Sequence, residues 1–83
     1  MYITVLDNGF VFVCGELIHD GHSYTLTRAR CIRLWGTSEG LGQLVNGPTK
    51  DTVLDHQIPI ISVPDHAMIF TFQVSEVWAS HLS

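Results

Sequence analysis

Eighty-three residues are enough for one domain with a limited core. Hydrophobic residues make up 46 % of the chain and charged residues only 14 %, against a usual charged share of about 25 %. The net charge of −4 disfavours general binding to a nucleic-acid backbone, which needs a basic footprint.

So little charge over the large surface of a small domain predicts that part of the surface is covered by other copies of the chain. Cys14 and Cys31 are the only cysteines, too few for a disulfide framework or a thiolate zinc site. No basic segment followed by an apolar core opens the chain, and no apolar run reaches the length of a membrane span. A reducing cytoplasm is the expected compartment.

Taken in order, Tyr2 to Leu6 reads as a strand rich in β-formers. Asp7-Asn8-Gly9 follows, and Asn-Gly predicts a type I′ hairpin turn with positive φ at both residues. Phe10 to Ile18 returns with Phe10, Phe12 and Cys14 on one face and Val11, Val13 and Leu17 on the other. Both faces are apolar, so this strand is central or covered twice. Gly15 predicts a bulge or bend that lets one strand serve two sides of a small barrel.

His19 to His22 is a turn, and Ser23 to Thr27 a third strand. Arg28 to Trp35 reads as a fourth, with a break near Arg28, Ile32 and Leu34 facing inward, and Cys31, Arg33 and Trp35 on the opposite side. From Trp35 to Asp55 the alternation stops. Four of the seven glycines lie here, at Gly36, Gly40, Gly42 and Gly47, among hydrogen-bonding side chains. A loop of this length in so small a domain points to function. Within it Ser38 reads as an N-cap, Leu41, Leu44 and Val45 as one helical face, and Asn46-Gly47 as a stop before Pro48.

Val53 and Leu54 begin the return. Ile58 to Val63 is a strand whose Pro59 places it at an edge or bulge. Met68 to Val74 is the last strand, with Met68, Phe70, Phe72 and Val74 on one face, and Val77 and Trp78 form a terminal anchor before a frayed tail from Ala79 to Ser83. The expected fold is all-β: a single domain over residues 1–83, built as a small SH3-like or Sm-like barrel or sandwich of six to seven short strands with one short helical insertion.

The residues Trp35-Gly36-Thr37, Gly40-Leu41-Gly42, Leu44, Gly47-Pro48-Thr49 and Thr52-Val53-Leu54-Asp55, with Val11-Phe12-Val13 upstream and Val63-Pro64 downstream, resemble a family of small uncharacterised proteins of tailed phages and prophages. The resemblance covers most of the chain. It implies a phage accessory protein in the cytoplasm of a bacterial host, and it carries over no functional residue, because the family has no assigned activity.

The chemistry-bearing residues form no catalytic pattern. His19, His22, His56, His66 and His81 are scattered, without the converging thiolates or carboxylates of a zinc site. There is no nucleophile elbow, and the glycines match neither the P-loop nor the dinucleotide fingerprint. No metal, cofactor or enzymatic activity is expected. All four basic residues, Arg28, Arg30, Arg33 and Lys50, lie between positions 28 and 50. They either pair with Glu39, Asp51 and Asp55 or form a small anion pocket.

In the second case Arg33 supplies a planar fork for phosphate, Trp35 a stacking face, and the Gly-rich loop an anion nest. The expected ligand-binding residues are Arg33, Trp35, Thr37, Ser38, Asn46, Thr49 and Lys50. The expected function is non-catalytic: a homo-oligomer that binds and sequesters a small anionic, nucleotide-derived host signalling molecule, acting as an anti-defence sponge. The alternative is a protein–protein module that inhibits a host enzyme or is a minor virion component.

Overall fold

The computed structural model describes residues 1–83. Its strands are β1 (Tyr2–Leu6), β2 (Val11–Cys14), β3 (Glu16–Asp20), β4 (Ser23–Leu34), β5 (Val53–Leu54), β6 (Ile58–Pro64) and β7 (Met68–Gln73). Three short 3₁₀ helices accompany them: η1 (Leu41–Asn46), η2 (Asp65–Ala67) and η3 (Glu76–His81). The expected all-β fold is therefore present as a curled half-barrel, with three helical pieces where the sequence predicts one.

All pairings are antiparallel, in the order β3-β4-β2-β1-β7, with β5 and β6 also on β4. Strand β4 is continuous through Arg28, where a break was expected. Its first half lies between β3 and β6, and its second half between β2 and β5. On one side β3 gives way to β2 at Arg28, the only non-glycine residue with positive φ, at 50°; on the other β6 still pairs at Ala29 and β5 takes over at Ile32.

A left-handed arginine is uncommon, and the residues opposite explain how the chain tolerates it. On one side stands Gly15, whose N–H donates to the Thr27 carbonyl at 2.8 Å. A Cβ at Gly15 would collide with the Arg28 guanidinium. On the other side Pro59 lies between the Thr27–Ile60 and Ala29–Ile58 pairs. Proline has no N–H to offer the ladder, so the kink there breaks no bond.

The result is three layers. The central sheet is β7-β1-β2 with the second half of β4. One face packs on the sheet of β3, β6 and the first half of β4, burying Leu6, Phe12 and Cys14 against Leu26, Ala29 and Val63. The other is covered by η1 and η3, burying Ile3, Val11, Val13 and Ile32 against Leu44, Val74, Trp78 and Leu82. All four residues of β2 are buried, as its two apolar faces require.

Several local expectations are corrected. The first hairpin is not type I′: only Gly9 has positive φ, at 90°. Gly9 N–H donates to Leu6 O at 3.0 Å and Leu6 N–H to Phe10 O at 2.9 Å, the pattern of a three-residue loop ending in a left-handed residue. Asn8 instead accepts from Phe10 N–H through Oδ1 at 3.0 Å. Strand β7 does not keep one apolar face. A bulge opposite Val5 and Leu6 turns Met68 toward the Leu6 cluster, while Phe72 packs with Ile3.

The tail is not frayed. Leu82 is fully buried, Arg30 donates to His81 O at 2.8 Å, and Gln57 donates to Leu82 O. Trp78 is fully buried too, and its indole N–H donates to Leu44 O at 2.8 Å, joining the two helices.

Two stability predictions follow from this packing. Trp78→Phe removes the donor and leaves the Leu44 carbonyl buried beside a cavity, so urea unfolding should show a loss of about 2–4 kcal/mol. Thr4 is fully buried and its hydroxyl has no hydrogen-bond partner. Thr4→Val keeps the shape and removes that penalty, and should raise stability by about 1 kcal/mol in the same assay.

Candidate functional site

A cleft of about 400 Å³ is lined by residues 9–12 at the first hairpin and the start of β2, by residues 31–33 of β4 and by the segment from Asp55 to Ile58. Its floor comes from β2 and β4. Antiparallel pairing sets Phe12 opposite Cys31, so both side chains stand on the same face. Phe10 extends that face at the hairpin turn, edge-on to Phe12 with ring centroids 6.3 Å apart. Ile58, at the start of β6, forms the opposite wall. Phe10 and Ile58 are about half exposed, whereas Phe12 is buried.

The rim is polar and rests on Asp55. The Asp55 N–H donates to Cys31 O at 2.8 Å, which ties the end of β5 to β4. Its carbonyl accepts from Arg30 Nε at 2.7 Å. Its carboxylate oxygen Oδ1 accepts from Arg33 Nε and pairs with Nη2, both at 2.7 Å. Main chain and side chain are thus held by β4 at three points. His56 follows it on the rim and is exposed.

Arg33 keeps the Nη1 edge of its guanidinium outside this ion pair, and its side chain is 69 % exposed. An exposed pair of this kind adds little to stability. Its effect is to hold the arginine in one orientation beside the aromatic floor. One positive and one negative group then leave the rim almost neutral over an apolar base.

Both thiols are free. Burial pushes the Cys14 thiol up to about 11. Cys31 is half-buried and lines the cleft. Burial, and then the neighbouring Asp55 carboxylate, push its thiol above the ordinary range. A protonated thiol is a poor nucleophile, so the cleft carries no activated cysteine.

Of the seven residues singled out in the sequence, Arg33 alone lines the cleft. Trp35 follows it on the chain and is 42 % exposed. Thr37 is half-buried, and Ser38, Asn46 and Lys50 are exposed. Thr49 is a clasp: its hydroxyl donates to Gly36 O at 2.6 Å, and its N–H donates to Thr52 Oγ1 at 2.8 Å. The Thr52 hydroxyl in turn donates to Trp35 O at 2.7 Å.

Gly36, with φ at 68°, presses against the Asp51–Thr52 backbone where any Cβ would collide. The Trp-Gly-Thr and Gly-Pro-Thr segments are therefore two sides of one closed loop. Ser38 is not the N-cap of η1. Gly40 occupies that position, and Gln43 Oε1 accepts the Ser38 and Glu39 N–H groups at 3.0 and 2.9 Å.

Of the four basic residues only Arg30 and Arg33 come together, and they meet at Asp55. Arg28 lies on Gly15, Arg30 serves the carbonyls of Asp55 and His81, Arg33 holds Asp55, and Lys50 makes no ion pair. The residues that sequence reasoning missed are Phe10, Phe12, Asp55, His56 and Ile58. The same-face spacing of Phe10 and Phe12, beside the Cys31–Arg33 face, was the available signal. No three metal-ligating side chains come together, and no helix is long and apolar enough to cross a membrane. No family model, curated protein or solved structure matches the chain.

The Cys14 shift has a definite sign. The folded thiol keeps its proton between 9.0 and about 11 while the unfolded one loses it. Stability attributable to Cys14 is full below pH 9 and falls as pH rises toward 11, by about 1.4 kcal/mol per unit. Urea midpoints for wild type and Cys14→Ala should converge over that interval. With a thiol reagent at neutral pH, Cys31 should label slowly and Cys14 only after unfolding.

Proposed function

We propose that the protein is a non-catalytic binding protein whose ligand is a small planar molecule with an anionic group, of nucleotide type, held in the Phe10–Ile58 cleft. One observation carries the reading: the single pocket of the molecule sets an oriented arginine beside an aromatic floor. Pockets of a few hundred cubic ångströms with apolar walls and a few placed polar groups are the usual form of small-molecule sites.

The floor supports a flat ring against Phe10 and Phe12. The free edge of Arg33 supports the anionic group, with charge-assisted hydrogen bonds in its plane. Capture of a host signalling molecule in the bacterial cytoplasm, as a sponge, is the biological role that the phage resemblance adds to this chemistry.

Calorimetry against mono-, di- and cyclic nucleotides tests the proposal. Arg33→Ala should weaken binding roughly ten- to a hundredfold, the value of a lost charge-assisted hydrogen bond. Phe10→Ala should weaken it severalfold, and since Phe10 is about half exposed the fold should tolerate the change. No heat with any nucleotide, or equal binding by both variants, would sink the ligand reading and leave a protein–protein module in its place.

A further inference from the structure

The half-barrel has four open strand edges, because β3, β5 and β6 pair only with β4, and β7 only with β1. Open edges invite pairing with another chain, and proteins ordinarily blunt them. Three of the four carry such devices. Strand β3 carries Glu16 and Asp20 at its ends, β6 contains Pro59 and Pro64, and β5 is two residues long.

Strand β7 is the exception. Its six residues, Met-Ile-Phe-Thr-Phe-Gln, include no charge and no proline. Ile69 and Phe70 are exposed at 59 % and 50 %.

The ladder defines which groups are free. Val74 N–H donates to Met1 O at 2.8 Å, and in an antiparallel pair the inward-facing residues alternate with outward-facing ones. Phe70 and Phe72 thus direct their backbone groups to β1, and Thr71 and Gln73 direct theirs outward. The Thr71 hydroxyl folds back to Ile3 O at 2.9 Å and leaves that outer edge clear. Only the far end is closed by the chain itself, where Ser75 N–H donates to Val45 O at 2.8 Å.

We propose that β7 is the dimerisation edge, pairing antiparallel with β7 of a second copy across a two-fold axis at Thr71. A second copy is the occupant the edge fits for three reasons. An antiparallel strand is its own partner under two-fold symmetry. The axis at Thr71 sets Phe70 opposite Phe72 of the partner subunit, so the stacked Phe70–Phe72 pair, 6.2 Å apart within one chain, becomes a cluster of four rings. Cross-strand aromatic pairs of this kind stabilise a sheet. Finally, each copy carries a net charge of −4, and β7 itself brings no carboxylate to the join. Strands β1 and β2 separate this edge from the cleft side of β4, so the dimer stands independently of the ligand reading and leaves the cleft open.

Sedimentation at about 50 µM, a concentration at which mass action favours a specific dimer, should give twice the 9.3 kDa chain mass. Phe70→Lys and Thr71→Pro should each give the monomer mass, the second by deleting an outward N–H. Ile60→Lys, on the proline-protected strand, should remain dimeric. Amide exchange supplies an independent reading: Thr71 and Gln73 should gain protection as wild-type concentration rises. If Thr71→Pro fails to fold, Phe70→Lys and the exchange data decide. Wild type at the monomer mass would overturn the proposal. So would a Phe70→Lys dimer with Thr71 and Gln73 exchanging freely.

Discussion

The left-handed backbone at Arg28 is the constraint on which this architecture depends. One strand of twelve residues has to serve two sheets, and a regular strand cannot turn sharply enough to do so. The turn is possible because both neighbours yield at the same level. Gly15 has no side chain to meet the guanidinium, and Pro59 has no N–H to lose. From the turn follow the separation of β2 from β3 and the stacking of the two sheets over Phe12 and Cys14.

A chain of 83 residues has little interior to spend on such a design. Its second core is supplied by helices too short to be stable alone. They persist because they are tied to each other and to the sheet. The Trp78 indole donates to the last turn of η1, Arg30 and Gln57 hold the carbonyls beyond η3, and the Thr49–Thr52 clasp closes the loop leading from η1 to β5. Every one of these ties ends on a backbone group. The polar loop residues therefore serve the fold first.

The cleft borrows its order from the same ties. Asp55 is fixed by β4 through its N–H, its carbonyl and its carboxylate, and Arg33 is oriented by Asp55 in turn. A rim already held in place loses little freedom when a ligand arrives, which favours recognition. The cleft presents a protonated thiol, an ion pair and an aromatic floor.

Much of the fold was legible along the chain. Alternation located the strands, the two apolar faces of Val11 to Cys14 required a twice-covered strand, and Gly15 and Pro59 marked the bend and the edge. Those readings rest on local stereochemistry, which the sequence alone determines. The cleft was less legible because it is made of pairings between distant segments. Phe12 faces Cys31 through strand register, and Asp55 reaches Arg33 across 22 positions. The hydroxyls of Thr49 and Thr52 had the right chemistry for a ligand. Only the tertiary structure decided that they bond to Gly36 and Trp35, because a loop closes by using whichever donors lie nearest its own carbonyls.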